Sequence, residues 1–167
     1  AMTGEVPLNP KQLLWLNLVS DVFPELALAV EPPEGDVLAR PPRDPTVPLI
    51  HPGARREILA EAGILTGSTL AAFLAGLARH GPGPRAGTMA YMTLTLSQLL
   101  HAISSRSSTR SVFESGTLPR NPWVSWSVGA GIALQILSEG TVLLRHFLGN
   151  ARIDAPDALM VGGSAVG

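Results

Sequence analysis

The sequence predicts an all-α, multi-helix transmembrane bundle, and three observations carry that reading. Only 15% of the 167 residues are charged while 46% are hydrophobic, with a mean hydropathy of +0.26, a balance that suits lipid better than water. Several stretches hold about 20 mostly apolar residues, the length that crosses ~30 Å of hydrocarbon at helical rise. Arginine gathers in alternate connections, as the positive-inside rule requires of a multi-pass chain.

The first stretch runs from about Gln12 to Val30 and is interrupted by Asp21, Pro24 and Glu25. The connector after it, Glu31 to Pro52, carries prolines at 32, 33, 41, 42, 45, 48 and 52, which forbid a regular helix and predict an extended strap. The second stretch, Ile58 to Ala78, sets Gly63, Gly67, Ala71 and Ala75 at four-residue spacing. Such a ridge lets another helix approach closely in lipid. The third, Ala86 to Ser105, has no formal charge. The fourth, Pro122 to Leu144, is uncharged as far as Ser138 and opens with Trp123 and Trp126, residues suited to a membrane interface. A fifth apolar stretch, Ala158 to Gly167, is too short to span and reads as a truncated helix. All five form one domain over residues 1–167. The N-terminus has neither the basic flank nor the cleavage site of a signal peptide and reads as a cut edge. A soluble bundle is the alternative, but it should show a polar face on every turn, and the third stretch offers only Ser, Thr, Gln and His.

Arg40, Arg43, Arg55 and Arg56 lie between the first and second stretches, and Arg106, Arg110 and Arg120 between the third and fourth. Those two connections are therefore assigned to the cytoplasm, a modest bias of seven basic residues against the five (Lys11, Arg79, Arg85, Arg145 and Arg152) on the other face. The net charge of −1 and the scattered basic residues exclude a nucleic-acid partner, which needs a basic stripe to neutralise phosphates. With no cysteine, disulfides, thiolate metal sites and Cys nucleophiles are excluded together. His51, His80, His101 and His146 stand apart from one another without metal-ligand spacing, so loop or packing roles are expected.

The chemistry concentrates in the first stretch. Asn17, Asp21 and Glu25 recur every four residues and share one helical face, with Ser20 beside it. A carboxylate within a span is costly and marks an ion or proton path, while Pro24 lacks an N–H and frees a carbonyl one turn earlier. Carboxylates and freed carbonyls suit a hard cation. On spacing alone, a soluble helix turning Asp21 and Glu25 to water fits as well.

The run Pro10-Lys-Gln-Leu-Leu-Trp15-Leu-Asn17-Leu-Val-Ser20-Asp21, then Pro24, Glu31-Pro32-Pro33, Arg40-Pro41-Pro42-Arg43 and Pro48-Leu49-Ile50, resembles the sixth transmembrane helix and cytoplasmic exit of P-type cation-transporting ATPases of the calcium-pump class. Thr88-Met89-Ala90 through Leu96-Ser97-Gln98-Leu99-Leu100-His101-Ala102 resembles the eighth helix, and Asn121-Pro122-Trp123 the start of the ninth. The resemblance implies helices six to nine and the beginning of ten, the C-terminal half of a pump's transport domain. Position by position, it makes Asn17, Ser20 and Asp21 cation ligands on the sixth helix and Gln98 a further ligand on the eighth.

Three positions depart from the family pattern. Ser20 stands where calcium pumps commonly have threonine, Gln98 where they have glutamate, and Glu25 where they have a small residue. One carboxylate is thereby lost at Gln98 and one gained at Glu25, so the expected metal set is Asn17, Ser20, Asp21, Glu25 and Gln98. By the same resemblance the cargo is calcium or another hard cation. ATP and magnesium act only through domains outside this sequence, which contains no Asp-Lys-Thr-Gly phosphorylation motif, so the fragment is not catalytic alone. The expected partners are the remaining helices and cytoplasmic domains of the pump and the lipid bilayer. The expected location is a bacterial plasma membrane, crossed several times. The competing reading is a non-enzymatic helical membrane module for anchoring, assembly or regulation.

Overall fold

The structure is a computed structural model that describes residues 8–33, 42, 46, 48, 50–106 and 121–166. Among them every regular element is helical.

The first helix has three parts. α1 (Pro10–Leu16) starts from a capping box: the Asn9 side chain accepts from the Gln12 N–H at 3.0 Å, and the Gln12 side chain accepts from the Asn9 N–H at 2.9 Å. Two of the helix's orphan donors are satisfied in this way, and Pro10 at the first position needs none. A π-helical segment follows (Asn17–Val22), and α2 (Phe23–Ala29) completes the helix. Pro32 and Pro33 lie just beyond, where a helix cannot continue. Of the strap's prolines, Pro41 and Pro45 lie outside the described residues, as do Arg40 and Arg43.

α3 (Pro52–His80) is capped by His51, whose Nδ1 accepts from the Ala54 N–H at 3.1 Å. It ends at Gly81, where φ of 72° requires the left-handed region open to glycine. The three-residue turn Gly81-Pro82-Gly83 returns the chain as α4 (Pro84–Ser104), antiparallel to α3. At Gly76 the two helices approach closely: a Cβ there would sit 2.7 Å from the Ala86 Cα.

α5 (Pro122–Gly140) begins where the Asn121 side chain accepts from the Trp123 N–H at 3.0 Å. The expected fourth span to Leu144 is corrected here. Thr141 adopts an extended conformation, φ −98° and ψ 131°, and the chain turns 92° into the short α6 (Val142–Leu148). α6 leaves Val142, Leu143 and Phe147 exposed. α7 (Ala155–Val166) is the last element.

α4 is the axis of the bundle, packed against α3, α5, α7 and all three parts of the first helix. Its buried residues include Met89, Tyr91, Thr93, Thr95 and Leu99. Val19, Ala27, Leu99, Ala102, Val124 and Val128 form the apolar core between the first helix, α4 and α5. By length and composition, α3 alone among the described helices passes as a single membrane span, and α5 with α6 passes only as a pair broken by the 92° bend.

Candidate functional site

The π-segment changes what the first helix can present. In it the backbone ladder lengthens from i→i+4 to i→i+5, a geometry often found at functional sites. Pro24 then supplies no N–H to the carbonyl of Ser20 in the α register, or of Val19 in the π register. The helix is thus weakened where its oxygens are needed.

Ser20 is buried in that segment, and Asp21 beside it is half-buried. The Ser20 Oγ lies 2.8 Å from the Leu16 carbonyl oxygen, 2.9 Å from Asp21 Oδ1 and 2.7 Å from Gln98 Oε1. A hydroxyl has one proton to donate. Three acceptor oxygens therefore crowd a single donor, and turning the Gln98 amide to present its N–H relieves only one of the surplus contacts. Gln98 comes from α4, 78 residues away.

The structure brings Ser20, Asp21 and Gln98 together. Asn17 and Glu25 are exposed, and their side chains make no hydrogen bond or ion pair with the other described residues. They lie on the same helix, one to either side of the cluster in sequence.

Several polar groups around this cluster left no mark in the sequence pattern. At one end of the first helix, Asn9 Nδ2 donates to the Leu148 carbonyl at 2.7 Å, and Gln12 Nε2 donates to Asn150 Oδ1 at 2.7 Å. Asn150 in turn donates to the Glu139 carboxylate. At the other end, Arg106 donates through Nε and Nη2 to Glu31 Oε1 at 3.0 and 2.6 Å. Asn121 Nδ2 donates to the Ala27 carbonyl at 3.0 Å and to Glu31 Oε2.

A further cluster joins α3 to α7, ahead of the apolar stretch that starts at Ala158. The fully buried Asp157 accepts from Arg79 Nε at 3.0 Å and meets His80 Nε2 at 2.9 Å, with Asp154 3.6 Å from Arg79. Burial alone would push the Asp157 carboxyl up, but hydrogen bonds from His80, the Asp154 backbone N–H and Arg79 outweigh it and hold it below the usual carboxylate range. His80, Asp154 and Asp157 offer ligand atoms within 4.8 Å of one another. Arg79 already supplies the countercharge there, so the group is an ion-pair joint. Its Arg85 Nη1 neighbour, 3.2 Å from His80 Nδ1, adds a second cation. The sequence did not show that His80 would join such a cluster; of two further histidines, His51 caps α3, and His101 Nε2 lies 3.7 Å from Glu61 Oε2.

Comparison with known proteins gives the family. A family described as "Cation transporting ATPase, C-terminus" matches residues 5–167. The chain is 32% identical over 160 residues to calcium-transporting ATPase type 2C member 2 of Mus musculus, covering 95% of the chain and 17% of that protein. It is 35% identical over 134 residues to a calcium-transporting ATPase of Bacillus subtilis (strain 168), covering 79% and 14%. With type 2C member 1 of Homo sapiens it shares 35% over 131 residues, covering 78% and 14%. The chain thus spans less than a fifth of the length of these relatives. Helical throughout its described elements and matched along nearly its whole length, the chain belongs to the C-terminal, membrane-embedded region of the cation-transporting ATPases.

Proposed function

We propose that this chain supplies part of the cation-binding site of an ATP-driven pump, with calcium or another hard cation as cargo. The observation that carries the reading is the convergence of Ser20, Asp21 and Gln98 oxygens on one point of a helix broken by a π-segment. Surplus acceptor oxygens are what a hard cation recruits as ligands. Discontinuous helices likewise line ion paths in many transporters. Asp21 is the carboxylate that would meet the cation directly, Ser20 and Gln98 contribute neutral oxygens, and Asn17 and Glu25 stand ready on the open side for ligands from helices outside this chain. ATP and magnesium would act through separate domains. Relative movement of the helices would then open and close the site.

The arginine distribution supports a cytoplasmic location for the end of the bundle that holds Arg106 and Asn121. An anchoring or assembly module gains nothing from three oxygens crowding one hydroxyl, and no other feature favours it.

The test is cation-dependent ATPase activity of the intact protein containing this segment, reconstituted in proteoliposomes, across calcium, magnesium, manganese, sodium and potassium. One ion should stimulate turnover, and Asp21→Asn should lower that stimulation by about a hundredfold or more, the scale of losing one charged ligand. Stimulation that survives the substitution removes Asp21 from the site.

A further inference from the structure

The first helix is fastened at both ends and broken in the middle. At the Asn121 end the fastening is a single side chain with three duties. Asn121 is 4% exposed. Its oxygen accepts from the Trp123 N–H and starts α5. Its Nδ2 donates both to the Ala27 carbonyl and to Glu31. The Ala27 carbonyl has lost its helical partner, because the Glu31 N–H bonds to the Leu28 carbonyl instead, so the asparagine satisfies an orphan acceptor at the helix C-terminus. Glu31 is held in turn by Arg106, just beyond α4, and both side chains are more than four-fifths buried. α2 and α5 therefore meet at one amide, and Glu31 links it to Arg106 after α4.

We propose that Asn121, with Glu31 and Arg106, is the positioning set that holds Ser20 and Asp21 in register with Gln98, and so sets the affinity for the cation. This role rests on the cation reading above and on geometry. Ala27 lies about two turns from Ser20 along the first helix, with the end of the π-segment and Pro24 between them. A knot that fixes α2 against α4 also fixes how far Ser20 stands from Gln98, since Gln98 and the last turn of α4 move as one helix. None of the three residues lies within reach of the Ser20–Asp21–Gln98 oxygens, so they act through position. Releasing the knot lets α2 turn or slide and spreads the ligand oxygens. The chemical step, which takes place in other domains, has no contact with it.

The experiment uses the intact protein in proteoliposomes and reads turnover against free calcium, repeated with manganese. Asn121→Asp keeps the oxygen that caps α5 but sets an acceptor against the Ala27 carbonyl and the Glu31 carboxylate. It should raise the half-saturating cation concentration by about tenfold, with maximal turnover changed less than about twofold. Glu31→Gln should give a smaller rise in the same direction. Combined, Glu31→Gln and Asn121→Asp restore a donor facing an acceptor, because the amide introduced at position 31 can donate to the new aspartate, and most of the affinity should return.

If Asn121→Asp leaves half-saturation where wild type has it, the residue is only the cap of α5 and the proposal is overturned. A double variant no better than the sum of the single ones also overturns it. Should Asn121→Asp fail to reach the membrane, Glu31→Gln alone decides, by a raised or unchanged half-saturation. A wild-type protein that responds to neither ion sinks the cation reading and this inference together, whereas a responsive wild type whose variants keep its half-saturation sinks this inference alone.

Discussion

α3 and α4 are antiparallel neighbours joined by three residues, yet they are built on opposite principles. α3 passes as an apolar membrane span, but of its 29 residues only Ala72 and Gly76 are buried. α4 carries serines, threonines, a tyrosine and a glutamine, and it is the most enclosed helix of the bundle, with Thr88, Thr93, Thr95 and Ser97 buried. In lipid, apolar character marks the surface that meets hydrocarbon or a neighbouring helix. The interior gathers groups that satisfy one another. α4 does so partly within itself: Thr88 and Thr95 donate to the Pro84 and Tyr91 carbonyls one turn back, at 2.8 and 2.9 Å. The Tyr91 hydroxyl reaches across to Gln135 of α5 at 3.1 Å.

Three substitutions sharpen the contrast. The largest effect belongs to Gly76, where α3 touches α4 closely. Gly76→Val places carbon against the Ala86 backbone at 2.7 Å and should cost about 3 kcal/mol, read as a lowered thermal midpoint of the reconstituted protein. Unchanged melting would mean that the helices do not meet there.

Next comes the joint between α3 and α7. Asp157→Asn leaves Arg79 and His80 without their buried partner and should cost about 1–2 kcal/mol, kept small because Arg79 is 34% exposed and screened. The depressed acidity of Asp157 predicts the pH course. The carboxylate contributes its stabilisation above the ordinary carboxyl value of about 4 and loses it as pH falls through the lower folded value. Wild type should therefore weaken on acidification below about pH 4, and Asp157→Asn should lack that part of the acid limb in a melting series.

The smallest effect lies on the bare face of α3. At Gly67 an added methyl meets nothing within 4 Å. Gly67→Ala in this segment alone should stabilise by at most about 1 kcal/mol through helix propensity. In the intact protein the same change should instead lower stability if another helix packs on the Gly63–Gly67 ridge. Equal gains in both settings would leave that ridge facing lipid.

The sequence made parts of this arrangement legible for physical reasons. Pro24 and the four-residue recurrence of Asn17, Asp21 and Glu25 are local signals, and they pointed to an interrupted helix, but the recurrence put three residues on one face where the structure groups only Asp21 with Ser20 and Gln98. The π-segment left no such signal, because one extra residue in a helical ladder changes neither composition nor apolar spacing. Ser20 lies within that segment, bonded to both Asp21 and Gln98, while Asn17 and Glu25 are exposed. Asn121 was visible only as the start of a helix. Its pairing with Glu31 spans 90 residues, and His80 reaches Asp157 across 77. The break after Gly140 did have a local trace in Glu139-Gly140-Thr141, but an apolar run continuing to Leu144 hid it.

The right-angled turn into α6 has a consequence for depth. α5, at 19 residues, is about 28 Å long, close to the thickness of the hydrocarbon. α6 then leaves sideways with Val142, Leu143 and Phe147 outward and Arg145 and His146 beside them, the composition of a float at the boundary between tails and headgroups. Lys11 lies 5.2 Å from the centre of the Phe147 ring, tying the float to the start of the first helix. α3, about 43 Å at its 29 residues, has no such stop and must lean or protrude. Within one bilayer, greater thickness would be taken up by the lean of α3, since α5 has no length to spare.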